Sequence, residues 1–371
     1  MIDDFDDIRP YRDDEVNDAM CRITADPLFP IISNYVYPDR TPQDVADFMR
    51  SFQSVQDFQY SVMRAFNEGV ISKTIRNFTY SGIENVPRDH ACLFVSNHRD
   101  IVLDACLMQY ILYLNDLPTT QITFGSNLMS SQFLVDIGRS NRMFRVERPG
   151  NASARQFYEH SMRLSQYLRH VICDLGESVW IAQRNGRTKN GIDRTNPAII
   201  KMFGMAQRRL MAKGLADLSI VPVSVSYQIE PCAEFKAREI LASSNGVYKK
   251  APGEDLNSII TGIIQYKGDV HFHFSAPVTA DVINDMESRA PQRLAENVAE
   301  YMDSNIISGY KLHSTNYVAA DIITGTQSYA DKYTADDKAE FLKMINEVAD
   351  ADVRREMCKI YANPLLENDV D

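Results

Sequence analysis

His98 lies in the run LFVSNHRDIVLD, residues 93–104, with Asp100 and Asp104 just downstream. A histidine takes a proton from a substrate hydroxyl near neutral pH, provided a carboxylate orients the ring and stabilises the imidazolium that forms. Asp100 and Asp104 are four residues apart, so on a helix they share a face, about 6 Å apart along the axis. Asp100 is equally a first-turn acid favoured by the helix dipole. Downstream, Arg139, Arg142, Arg145, Arg148 and Arg155, then Arg184, Arg187, Lys189 and Arg194, form two short cationic clusters. Most of these read as solvated surface charge. A few can do more, because arginine's planar fork grips phosphate with paired charge-assisted bonds, each contributing about 1.5–3 kcal/mol when partly shielded.

Two other groupings carry less. His271 and His273 alternate in VHFHFS and face one side, but no acidic or cysteine partner follows at metal-ligand spacing, so they read as ordinary strand histidines. The His-Arg-Asp triplet at 98–100 also occurs in kinase catalytic loops. The Asn required five residues after its Asp is Ala105 here, and neither Asp-Phe-Gly nor a glycine-rich loop is present.

The elements that must position His98 follow from patterning. Residues 91–95 are a short apolar run with polar residues on both sides, which predicts a buried strand; Ser96 or Asn97 then caps a helix over 100–114. Strands are expected at 121–124, 144–146, 179–182 and 219–227, with helices over 153–168 and 198–212. This alternation implies an α/β fold with a central, mostly parallel sheet flanked by helices. Before it, residues 41–77 show helical spacing (Val45, Phe48, Met49, Phe52, Val55, Phe58), with Thr41 as N-cap and Pro42 at the first helical position. After Pro277 the alternation stops, and 282–306 and 335–360 read as helices. The expected organisation is an N-terminal helical region (1–85), a central domain (86–280) and a C-terminal helical region (281–371).

Composition sets the outer limits. At 371 residues with 44% hydrophobic and 24% charged residues, the chain reads as soluble and globular. Its longest mainly apolar stretch, 101–114, contains Asp104 and Gln109 and is shorter than the roughly 20 residues a spanning helix needs, so membrane contact is expected to be peripheral. A net charge of −11 opposes nucleic acid as a partner. Six scattered cysteines without a C-x-x-C pair, and an acidic start (MIDDFDDIRPYRDDE) without a targeting pattern, suggest a cytoplasmic protein, at most at the inner face of the membrane.

NHRDIVLD resembles the first motif of the glycerol-3-phosphate and lysophosphatidate acyltransferase superfamily, in which a His and an Asp are separated by four residues. Here Asp104 lies one residue further on. Its apolar approach and the small Ala105 after it resemble the family's helix, so Asp104, with Asp100 as alternative, takes the partner's role in this reading. Later blocks follow in order: MFRVER (143–148) resembles the second, VWIAQRNGRTK (179–189) the third, and IVPV (220–223) the fourth. The resemblance, spanning about 93–227, implies that Arg148 and Arg187 hold an acceptor phosphate and that Gly186 lets the backbone approach the substrate. Where the family has Glu, this chain has Asn185.

The activity so implied is transfer of a fatty acyl group from acyl-CoA or acyl carrier protein to a hydroxyl of glycerol 3-phosphate or lysophosphatidate. No metal or bound cofactor is needed, because the thioester drives the reaction. Asn185 and the displaced Asp keep open a second expectation, a non-catalytic acyl-carrier or lipid-binding protein that retains the fold. Most of the lead-in around residues 48–66 is expected to pack against the sheet rather than lie on a membrane, since it lacks a basic polar face.

Overall fold

The computed structural model describes residues 5–129, 131–147, 153–244, 246 and 248–367. Seven strands build one sheet: β1 (Ile75–Ser81), β2 (Leu93–Ser96), β3 (Gln121–Gly125), β4 (Met143–Val146), β5 (Val179–Ala182), β6 (Ile220–Tyr227) and β7 (Gly268–Phe274). Their spatial order is β1-β7-β6-β2-β5-β3-β4, and every neighbouring pair is parallel except β6 with β7. The fold is α/β with a mostly parallel sheet flanked by helices.

Alternation along the strands divides the interior. Leu93, Val95, Val179, Ile181 and Ile220 join one apolar cluster with Leu168, Ile200 and Val298 on one face. Phe94, Trp180, Val221 and Val223 join a second cluster with Leu103, Leu107 and Ile111 on the other. Burial on both faces explains why β2, β5 and β6 are apolar nearly throughout. β2 is in the middle, so its C-terminal end opens where the chain's connections diverge to either side, the crevice in which open α/β sheets take ligands.

Outside the sheet, the N-terminal helices Asp13–Ala25 and Pro42–Arg50 bury Val16, Met20, Val45 and Met49 in a cluster of their own, joined by Phe52 and Phe58 from just beyond the second helix. Thr41 caps the second, its Oγ1 accepting from Asp44 N at 3.2 Å, with Pro42 at the first helical position. The apolar residues of the lead-in are therefore taken up by packing, but mostly against other helices, Phe133 included, and not against the sheet as expected, because the helices supply a cluster of their own; Phe66 alone of them packs beside the sheet. Among the described residues no helix is long and apolar enough to cross a membrane.

Several elements differ from the sequence-based expectation. Helix does not run to residue 77, because Ile75–Ser81 leaves it as edge strand β1, paired with β7. The expected helix over 198–212 is three pieces, Pro197–Gly204, a 3₁₀ segment Met205–Leu210 and Met211–Ala216, since Gln207 adopts φ −120°, ψ 38°. Residues 282–306 divide into Ala280–Arg289 and Leu294–Gly309 at Pro291, whose missing N–H cannot continue a helix. Residues 335–360 divide into Ala335–Asn346 and Ala351–Leu366, where Asp350 caps the second helix through Asp352 N and Val353 N.

His271 and His273 do face one side, and hydroxyls tie them there. His271 Nδ1 is 2.9 Å from Thr79 Oγ1, and Ser81 Oγ lies 3.1 Å from His271 Nε2 and 2.9 Å from His273 Nδ1. Burial first, and then the Lys311 charge, push His271 and the nearby His313 down to about 4. Below pH 6.5 the unfolded chain takes up protons that the folded chain refuses, so the stability these two groups contribute is complete above pH 6.5 and is lost as pH falls towards about 4. The urea midpoint is therefore expected to be lower at pH 5 than at pH 7, and a His271→Gln/His313→Gln chain should show a flatter dependence; an unchanged slope would contradict this.

Candidate functional site

β2 ends at Ser96, and the chain then turns for six residues before the helix Leu103–Leu114 begins. Neither Ser96 nor Asn97 caps that helix; Asp100 Oδ1 instead accepts the N–H groups at its start, from Val102 N at 2.9 Å and Leu103 N at 2.8 Å. Ser96 Oγ instead accepts from Trp180 Nε1 at 3.0 Å, and Asn97 pairs in both directions with the backbone of Val225. The helix thus starts three residues later than the sequence suggests. That extra length absorbs the additional residue between His98 and Asp104.

His98 Nδ1 meets Asp104 Oδ2 at 2.8 Å. The same oxygen accepts Arg99 N at 2.5 Å and Asp100 N at 2.9 Å, and Oδ1 accepts Tyr227 Oη at 2.7 Å. Burial alone would raise the Asp104 carboxyl, but the hydrogen bond and charge of His98, with the Tyr227 and Asp100 bonds, hold it below the ordinary aspartate range. Asp100 goes the other way: burial first, then the neighbouring Asp104 charge, push it up despite the two N–H groups it accepts. The geometry thus brings Asp104 to the imidazole and gives Asp100 to the backbone. With Nδ1 engaged, Nε2 is the ring nitrogen without a hydrogen-bond partner among the described residues. The ring packs edge-on to Trp180, centroids 5.6 Å apart, and its side chain is 13% exposed.

That exposed edge borders a cleft of about 1160 Å³. One part of its wall is the loop after β5. Gln183 N donates to Ser96 O at 2.8 Å and Thr188 N to His98 O at 2.7 Å, so residues 184–187 are held at both ends against the His98 turn. Gly186 makes the bend with φ +74°, a conformation that a side chain would strain, and nothing lies within 4 Å of where its Cβ would be. Arg187 lines the cleft, and its Nη1 is buried without a hydrogen-bond partner among the described residues. Arg184 lines it too, with no carboxylate at ion-pair distance among the described residues, whereas Arg145 pairs with Glu147 and Lys189 with Glu239. Arg148 lies outside the described residues. Another part of the wall is apolar, with Leu164, Ile199, Met202 and Met205 contributed by the packed helices Ala154–Arg169 and Pro197–Gly204 and the 3₁₀ segment that follows.

Beneath the turn lies a set of charges that sequence reasoning passes over. Arg99 is fully buried, its Nη2 on Asp193 Oδ2 at 2.5 Å and its Nη1 on Glu230 Oε2 at 3.2 Å. Lys236, also buried, gives Nζ to Glu230 Oε1 at 2.5 Å and to the Arg99 carbonyl at 2.7 Å. Two cations and two carboxylates balance. Removing one member of such a buried set costs about 3–5 kcal/mol, because it leaves an uncompensated charge in low dielectric. Trp180 and Tyr227 are also absent from the sequence-based site; their only signal is an aromatic residue in, or at the end of, an otherwise apolar strand.

The Acyltransferase family model matches residues 77–226, a span that begins near the start of β1 and contains His98, Asp104 and the Arg184–Arg187 loop. Among solved structures, the 1-acyl-sn-glycerophosphate (LPA) acyltransferase PlsC from Thermotoga maritima is similar over 78% of this chain and 91% of its own, with 14% identity and a TM-score of 0.36. No curated protein matches the chain. Over residues 77–226, then, the chain is similar to the Acyltransferase family.

Proposed function

We propose that the protein transfers a fatty acyl group from acyl-CoA or acyl carrier protein to a hydroxyl of a phosphorylated glycerol acceptor, glycerol 3-phosphate or lysophosphatidate, with His98 as general base. The observation that carries this reading is the His98–Asp104 pair at a cleft that also holds Arg184 and Arg187, neither with a carboxylate at ion-pair distance among the described residues. His98 Nε2 accepts the acceptor's hydroxyl proton as that oxygen attacks the thioester carbonyl. Collapse of the tetrahedral intermediate breaks the C–S bond, and the departing thiolate takes the proton back from the imidazolium. Asp104 stays ionised and faces the ring as it becomes charged. Arg187, its Nη1 awaiting an acceptor, and Arg148 grip the phosphate in this reading, and Gly186 lets the loop's backbone come close. Each methylene of the acyl chain buried against Leu164, Ile199 and Met202 contributes about 0.8 kcal/mol. The chemistry asks for no metal or resident cofactor.

Asn185, exposed on the same loop, removes a charge that the family carries there. The alternative it favours, an acyl-carrier or lipid binder, separates cleanly in one assay. Purified protein is titrated with acyl-CoA, then with glycerol 3-phosphate or lysophosphatidate, while free thiol is followed. Acceptor-dependent thiol release supports the enzyme; acyl-CoA binding without release under every acceptor supports the binder.

The reading includes a cytoplasmic protein in peripheral contact with the bilayer that holds lysophosphatidate. The lead-in helices are occupied by packing, while Leu256, Ile260 and Ile264 stand exposed at four-residue spacing on the helix Glu254–Ile264, which also gives Asp255 to the cleft wall. Flotation with phosphatidylcholine vesicles should carry wild-type protein upward and leave Ile260→Asp/Ile264→Asp behind. Absence of wild-type binding would limit the acceptors to soluble ones.

A further inference from the structure

The Arg99 peptide is fixed from three directions. Its N–H donates to Asp104 Oδ2, its side chain is locked between Asp193 and Glu230, and its carbonyl accepts from Lys236 Nζ. A peptide group is planar, so the Arg99 carbonyl and the Asp100 N–H turn together. That second N–H also donates to Asp104 Oδ2, at 2.9 Å. Holding the carbonyl therefore aims one of the donors that fix the carboxylate, and the carboxylate in turn fixes His98.

We propose that Lys236 is a positioning residue for the His98–Asp104 pair: by holding the Arg99 carbonyl it orients the following N–H onto Asp104 Oδ2 and so keeps that oxygen on the imidazole. Lys236 lies on the helix Ala233–Ser244, beyond residue 226, where the acyltransferase-family match ends. It belongs to a frame supplied by the C-terminal part of the chain. Glu230, its ionic partner, donates its backbone N–H to Tyr361 Oη at 3.0 Å, and Tyr361 sits on the helix Ala351–Leu366, which packs against Ala233–Ser244. The same terminal helix braces the loop that carries Arg187: Asn363 Nδ2 donates to Asn190 O at 2.7 Å, and Gly191, at φ +81°, would drive a Cβ to within 2.2 Å of Ile360 O. The C-terminal helices thus hold both the base and the phosphate loop in register, a role distinct from binding either substrate.

This inference deepens the proposed reaction and rests on it for the turnover readout. The experiment therefore pairs turnover with two readouts taken on the substrate-free protein. Lys236→Met alone leaves Asp193 and Glu230 facing only Arg99, and its melting temperature should fall. Lys236→Met/Glu230→Leu removes one charge of each sign, leaves Arg99 on Asp193, and should recover most of that melting temperature. Positioning requires that the folded double variant still turn over about 10–100-fold more slowly, with the loss in kcat rather than in the KM for the acceptor. It also requires that the low-field proton resonance of His98 Nδ1–H move or broaden. A double variant with wild-type melting, wild-type kcat and an unmoved resonance would show that Lys236 serves stability alone and would overturn the proposal.

A second measurement needs no variant. In the wild-type protein, the Arg99 and Asp100 amides should exchange with deuterium as slowly as the sheet amides of β2 and β6, although they lie in a turn. Exchange at the rate of an open loop would overturn the proposal. Because the resonance and the exchange rates are read without substrate, they stand or fall independently of whether acyl transfer is the reaction.

Discussion

Turnover of His98→Ala is expected to fall by about 10²–10⁴-fold, the usual contribution of a general base, while the protein keeps its fold. The fold should survive because the imidazole is only one of four donors to Asp104; Arg99 N, Asp100 N and Tyr227 Oη remain in place. The side chain removed borders the cleft, so water can enter the space it leaves. Circular dichroism and melting should match wild type. A folded His98→Ala protein with wild-type turnover would remove His98 from the mechanism.

Asp104 should behave differently because it is both the partner of His98 and the anchor of the turn. Asp104→Ala leaves three buried donors without an acceptor, each worth about 1–3 kcal/mol, against a total stability of about 5–15 kcal/mol for an ordinary domain. A marked fall in the denaturation midpoint is expected, together with loss of activity. Asp104→Asn separates the two roles. Its amide oxygen can occupy the Oδ2 position and accept the imidazole and both backbone N–H groups, while its NH₂ donates to a rotated Tyr227 hydroxyl. What it lacks is the charge that the imidazolium faces. The Asn variant should therefore fold near normally but turn over at least about 10²-fold more slowly. If it is as fast as wild type, the carboxylate's charge plays no part in the chemistry.

How far the sequence discloses these features depends on where the information resides. β2, β5 and β6 are legible because each is a short run buried on both faces, so nearly every residue is apolar. β1, IRNFTYS, is an edge strand with half its side chains in solvent, and its residues continue a helical pattern, so periodicity alone misses the change at Ile75. The breaks at Gln207 and Pro291 fall inside runs whose apolar spacing persists on both sides. Pro291 is readable as a breaker; the Gln207 kink depends on packing, with Gly214 leaving room for the Gln207 side chain.

The site divides in the same way. His98 and the Arg187 loop are visible as motifs, but spacing leaves Asp100 and Asp104 as alternatives. What separates them is the turn at 100–102, where Asp100 is consumed by two N–H groups and Asp104 is left for the ring. Lys236 and Glu230 carry no local signal at all, since their partner Arg99 is 131 residues from Glu230 and the contact exists only after the helices dock. Arg184, which reads as one solvated cation among several, stands apart only once Arg145 and Lys189 are seen to be paired.

The most direct test of acyl transfer at this cleft is a single-turnover experiment with protein in excess over acyl-CoA, started by adding lysophosphatidate or glycerol 3-phosphate, with thiol and ester products quantified together. The expected result is one thiol and one acyl ester per acyl-CoA consumed in the wild-type protein, at a rate at least about 10²-fold above His98→Ala. Acyl-CoA that stays bound and intact with every acceptor, or thiol released equally fast by His98→Ala, would contradict it.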